Sequence, residues 1–143
     1  MEDDRGGREA RQALGATEQA ILALTLTGAP DKAIAARLGV TERTVQRRIR
    51  TLMIRVGAAN RMQLGTFASG WGMTIPGAPR QRADEAEVLL LKLLMTGRSE
   101  RSAAADLEIG YRTVQRRIRR LMAMVGAVNR TQLGWHAAHN GWI

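Results

Sequence analysis

The sequence predicts an all-α fold made of two tandem copies of one four-helix unit, and three observations predict it. The heptapeptide TVQRRIR occurs at Thr44–Arg50 and again at Thr113–Arg119, a constant offset of 69 residues. The same offset pairs Glu18 with Glu87, Gly28 with Gly97, Leu38 with Leu107, Gly57 with Gly126 and Gln63-Leu64-Gly65 with Gln132-Leu133-Gly134. No gap is needed between 17–72 and 86–141, and roughly half of those positions are identical, which is the signature of a duplicated unit. Apolar residues recur at helical spacing within each copy, and glycines, prolines and capping residues cut each copy into four segments. The expected organisation is a flexible tail at 1–14, units at 15–72 and 83–143, and a Pro/Gly-bearing linker at 73–82.

In the first copy, the first helix is expected over about Thr17–Thr27, ending at Gly28, whose missing Cβ suits a left-handed terminus. The second is expected over Asp31–Leu38 after Pro30, with Asp31 as N-cap. A short turn, Gly39-Val40-Thr41, leads to the third, Glu42–Val56, with Thr41 as N-cap and Gly57 as terminator. The fourth starts from Asn60 and fades near Gly70. In the second copy Gly110 replaces Thr41, a weaker cap, and Ala103 replaces Ile34, which thins the core.

The chain has 22 Lys and Arg against 13 Asp and Glu, a formal charge of +9, while 45% of its 143 residues are hydrophobic. That much apolar material supports a folded core, so the charge belongs to a surface and not to a disordered basic tail. The natural partner of such a surface is a polyanion. Aromatic residues are 3%, too few for base-stacking RNA platforms. There is no cysteine, so no disulfide and no thiolate metal site is available. No apolar run reaches the 18 or so residues a membrane span needs, and the N-terminal residues lack a secretion-signal core. These features set the expectation of a cytoplasmic, nucleoid-associated protein.

The third helix carries the functional signal. At 100° per residue Val45, Ile49, Leu52 and Val56 fall within about 60° of arc with Met53 beside them, and that stripe is core. Arg47 lies opposite, flanked by Gln46, Arg50, Thr51 and Ile54, with Arg48 and Arg55 at the edges. The second copy repeats the arrangement with Val114, Ile118, Leu121 and Val125 inside and Gln115, Arg116, Arg119 and Arg120 outside. A basic helix face is often merely solvated. Here the cations have few acidic partners one turn away, the helix follows a short helix and a tight turn, and Gln and Arg pair bidentately with purine edges in the major groove.

Each copy resembles the LuxR/GerE-type helix-turn-helix DNA-binding domain. The resemblance rests on Glu18, Leu22, Gly28, Ile34-Ala35, Leu38, Val40-Thr41, Thr44-Val45, Val56-Gly57, Arg61 and Gln63. The second copy offers Glu87, Leu91, Gly97, Ala104, Leu107, Ile109, Thr113-Val114, Val125-Gly126, Arg130 and Gln132. The resemblance implies that Gln46, Arg47 and Arg50, with Gln115, Arg116 and Arg119, enter the major groove. It implies that Lys32, Thr44 and Arg48, with Arg101, Thr113 and Arg117, lie against phosphates. The family usually has Lys where Gln46 stands and His where Arg48 stands, so its base preference does not transfer.

The expected function is therefore a sequence-specific regulator of transcription on double-stranded DNA. The alternatives are an adaptor docking on RNA polymerase or another regulator, and a sequence-indifferent packaging protein. The residues ahead of the first helix are too few for the sensor domain that family members carry. No paired carboxylates, Ser/His/Asp set or phosphate-cradling glycine loop is visible, so neither catalysis nor a cofactor is expected. His136 and His139 stand without a carboxylate or thiolate companion and are not read as metal ligands.

Three further expectations concern packing. Glu18 with Arg61, and Glu87 with Arg130, are expected as ion pairs between first and fourth helices. Trp71, Trp135 and Trp142 are expected to close cores or join the copies. In the family, single modules dimerise through the fourth helix. The tandem pair suggests an intramolecular pseudo-dimer, with Leu64, Phe67 and Ala68 near Leu133, Trp135 and Ala137; those residues closing each copy's own core, or a homodimer of chains, are the alternatives. A linker of about 12 residues spans roughly 40 Å when extended, comparable with the 34 Å between half-sites one helical turn apart.

Overall fold

The computed structural model describes residues 2–143, and the described residues form helices and connecting turns without strands. In chain order these are α1 (Glu2–Gln12), α2 (Ala16–Leu26), α3 (Asp31–Leu38), α4 (Glu42–Val56), α5 (Arg61–Gly70), α6 (Glu85–Met95), α7 (Glu100–Asp106), α8 (Tyr111–Val125) and α9 (Arg130–His139). Helices α2 to α5 and α6 to α9 repeat one another in order and nearly in length.

Local chemistry explains most of the boundaries. Thr41 caps α4 by accepting the Thr44 amide at 3.1 Å, and Asn60 and Asn129 cap α5 and α9 in the same way. Gly39, Gly57 and Gly126 end their helices in the left-handed region, where a Cβ would be strained. Asp31 is not the cap of α3. That place falls to Pro30, with no side-chain cap, because Asp31 lies inside the first turn and its carboxylate is engaged elsewhere. The second copy's turn departs from the first: Glu108 takes the positive-φ position that Gly39 holds, at φ 54°, and Gly110 supplies no side-chain cap to α8. Such a φ costs a non-glycine residue about 1 kcal/mol or more.

The segment expected as a flexible tail is helical over Glu2–Gln12, while Met1 lies outside the described residues. Helix α1 packs against the end of α5, where Gly7 sits so close to the Gly70 carbonyl that a Cβ would overlap it. Tertiary contact, not intrinsic propensity, holds this Gly-Gly-containing helix.

Each set of four helices has its own core. Ile21, Leu22, Ile34, Val45, Ile49, Leu52, Leu64 and Ala68 form the first, and Leu90, Leu91, Ala103, Val114, Ile118, Leu121, Leu133 and Ala137 the second. The cores are not closed separately. Met62 of α5, 4% exposed, belongs to the second core, and Trp135 of α9, 3% exposed, belongs to the first.

The seam between the copies is the packing of α5 on α9. At its centre Gly65 lies against the Thr131 carbonyl and Gly134 against the Met62 carbonyl, each so close that a Cβ would overlap the oxygen. Asn60 Nδ2 donates to the Leu94 carbonyl at 2.7 Å, and Asn129 Nδ2 donates to the Thr25 carbonyl at 2.9 Å. Every one of these contacts maps onto its counterpart by the 69-residue offset. That is the reciprocity of an isologous interface, here within one chain. Helices α5 and α9 thus meet through Gly65, Met62, Gly134 and Thr131. Leu64, Ala68, Leu133 and Ala137 close their own cores, and Phe67 stacks on Trp71 at 6.0 Å.

The linker is not an extended spacer. The indole N–H of Trp135 donates to the Met73 carbonyl at 2.8 Å, that of Trp142 donates to the Gln81 carbonyl at 2.9 Å, and Arg80 donates to the His139 carbonyl. Residues 73–81 are thereby tied to α9 and the C-terminal residues.

Candidate nucleic-acid interface

Helices α3 and α4, joined by the turn Gly39-Val40-Thr41, form a helix-turn-helix whose second helix buries Val45, Ile49 and Leu52. Anchoring that stripe fixes the rotation of α4 and turns Gln46, Arg47, Arg48 and Arg50 outward, all exposed. In the second copy, α7, its turn and α8 repeat the arrangement. Arg116 and Arg119 are exposed there, while Gln115 and Arg117 are half-buried. Thr44 and Thr113 are half-buried near the start of their helices, and Lys32 and Arg101 are exposed on the preceding ones.

Electrostatics separates these cations into two groups. Among the described residues Arg47, Arg50, Arg116 and Arg119 have no ion-pair or hydrogen-bond partner, so their donors face outward for a ligand. Arg48 instead reaches Glu18 at 3.3 Å, and Arg101 lies over the Tyr111 ring at 4.4 Å. Gln46 and Arg50 line one shallow cleft with Arg61, which brings two of the expected base-facing residues side by side.

The expected Glu18–Arg61 and Glu87–Arg130 pairs are not formed. Arg61 makes a two-pronged pair with Asp31 at 3.0 and 2.8 Å, and Arg130 pairs with Glu100. The fork of an arginine matches a carboxylate presented at a helix start, and the acid there recurs at the 69-residue offset as Asp31 and Glu100. That recurrence was the available signal. The pair ties α5 to the first turn of α3. Arg61→Ala is expected to lower stability by about 1 kcal/mol for this partly exposed pair, read as a lower melting temperature, with base preference unchanged.

His136 lies in the seam helix and is 2% exposed, with its Nδ1 making no hydrogen bond among the described residues. Burial, and then the neighbouring His139, hold its pKa below the ordinary histidine value. Burial and Arg80 lower that of His139, which stacks on Trp135 at 4.6 Å. The unfolded chain therefore binds protons at these sites before the folded one does. Stability is expected to be fully present above the unfolded value near pH 6.5 and to decline as the pH falls below it. Melting curves across that range check this, and His136→Phe should flatten the decline.

The fold and this Gln/Arg face define a helix-turn-helix with a basic second helix. Residues 12–68 match the model of the luxR family of bacterial regulatory proteins (GerE), so α2 to α5 carry one GerE/LuxR-type helix-turn-helix domain. No curated protein and no solved structure matches the chain. No helix among the described residues is long and apolar enough to cross a membrane.

Proposed function

We propose that the chain is a sequence-specific regulator of transcription that reads double-stranded DNA with α4 and α8 together, as an intramolecular pseudo-dimer on two half-sites. One observation carries the reading: the same Gln/Arg set, outward except that Gln115 is half-buried and with its arginines unpaired among the described residues, stands on the second helix of a helix-turn-helix in both copies. Packing does not require identity in such a segment, and a shared ligand does. Gln46, Arg47, Arg50, Gln115, Arg116 and Arg119 read base edges, whereas Lys32, Thr44, Arg48, Arg101, Thr113 and Arg117 neutralise or bind phosphates. The reciprocal α5–α9 seam supports the pseudo-dimer, since it holds the two reading helices at a fixed separation without a second chain. On this reading the protein works in the cytoplasm on the nucleoid.

Selection of bound duplexes from a random pool at about 150 mM salt, where non-specific phosphate binding is weak, tests the proposal. Two enriched half-sites at fixed spacing, bound by one chain, are expected. A single enriched half-site would mean that the second copy serves a protein partner such as RNA polymerase. Binding without enrichment would make the chain a packaging protein.

A further inference from the structure

We propose that Ile54 reads a thymine methyl group for the first copy alone, so that the two half-sites differ and the chain lies on its operator in one direction. The inference rests on the reading of α4 and α8 as the recognition helices. Ile54 is 77% exposed, more than any other large hydrophobic residue among those described. It follows Arg47 by seven residues, which places it about 20° from Arg47 around the helix and about 10 Å further along it. It therefore stands on the same outward face as Arg47, Arg50 and Thr51, away from the buried stripe of Val45, Ile49 and Leu52. An apolar side chain on a helix face that lies in the major groove meets one apolar feature there, the C5 methyl of thymine.

The second copy lacks this device. The reading set Gln46, Arg47 and Arg50 recurs without change as Gln115, Arg116 and Arg119, but Ile54 becomes Ala123 and Thr51 becomes Arg120. Alanine at that position projects a single methyl and is two carbons shorter than isoleucine, so from the same backbone position it would reach less far toward the groove floor. The operator should therefore contain two like cores, with a flanking thymine required beside only one of them.

The test starts from the duplex enriched by selection and replaces the flanking thymine with deoxyuridine, which removes only the methyl. Binding of the wild-type chain should weaken about fourfold, the worth of one buried methyl-sized group. Ile54→Ala should bind the two duplexes equally, and Ala123→Ile should gain methyl sensitivity at the second half-site. Because Ile54 is exposed, its replacement should leave the melting temperature unchanged. Two identical half-sites, or a uracil effect that survives in Ile54→Ala, would overturn the inference while leaving the sequence-specific reading intact. No enrichment of any sequence would instead remove that reading, and this inference with it.

Discussion

Gly65→Ala is expected to lower the melting temperature by about 8–10 °C, corresponding to about 2–3 kcal/mol of overpacking at a contact that cannot relax. The new methyl would overlap the Thr131 carbonyl and crowd the Trp135 amide. Both are backbone atoms inside a helix, so no side-chain rotation makes room and α5 must separate from α9. Gly134→Ala should behave alike, through the Met62 carbonyl. The contrast lies in the same helix: at Gly70 an added Cβ meets nothing within 4 Å. Gly70→Ala should be neutral or stabilise by up to about 1 kcal/mol through helix propensity alone. If all three variants melted together, close backbone packing would not be what joins the copies. The separated helices should also expose Trp135, so its fluorescence should move to longer wavelength in Gly65→Ala before global unfolding.

The second large effect is on recognition. Arg47→Ala should weaken binding to the selected duplex by about 10- to 100-fold and relax preference at one base pair, the loss of a bidentate purine contact. Arg116→Ala should do the same at the other half-site, and the two losses should multiply because the residues share no partner. Arg48→Ala should behave differently. Its guanidinium is partly neutralised by Glu18, so its removal should weaken all sequences alike, by less than the loss of Arg47 does, and make the salt dependence shallower. Equal losses on all sequences for Arg47→Ala and Arg48→Ala would overturn this division of roles.

Local chemistry was legible in the residues, and contact between distant segments was not. Helices α3 and α4 fall where the caps put them, because Thr41, Gly39 and Gly57 act within a few residues of themselves. The outward set of α4 follows from a periodicity that Val45, Ile49 and Leu52 anchor. Helix α1 is not legible for the opposite reason: Gly6 and Gly7 argue against a helix until α5 is there to pack on. Arg61 is legible as a framework ion-pair residue, but its partner is Asp31 and not the Glu18 that the repeat suggests. Spacing along the chain does not measure the distance from α5 to α2 or α3. Gly65 and Gly134 stood out as repeated residues, yet only the crossing of α5 and α9 explains why neither position has room for a side chain.

Met62 and Trp135 each complete the other copy's core, and this exchange has a consequence for how the protein responds to its own abundance. A regulator that assembles from separate subunits loses its bivalent form on dilution, and occupancy of its operator rises with roughly the square of its concentration. On the proposed reading, a chain whose halves already hold one another would keep both reading helices at any concentration. Its operator would then fill in simple proportion to the number of chains present, giving a graded dose response.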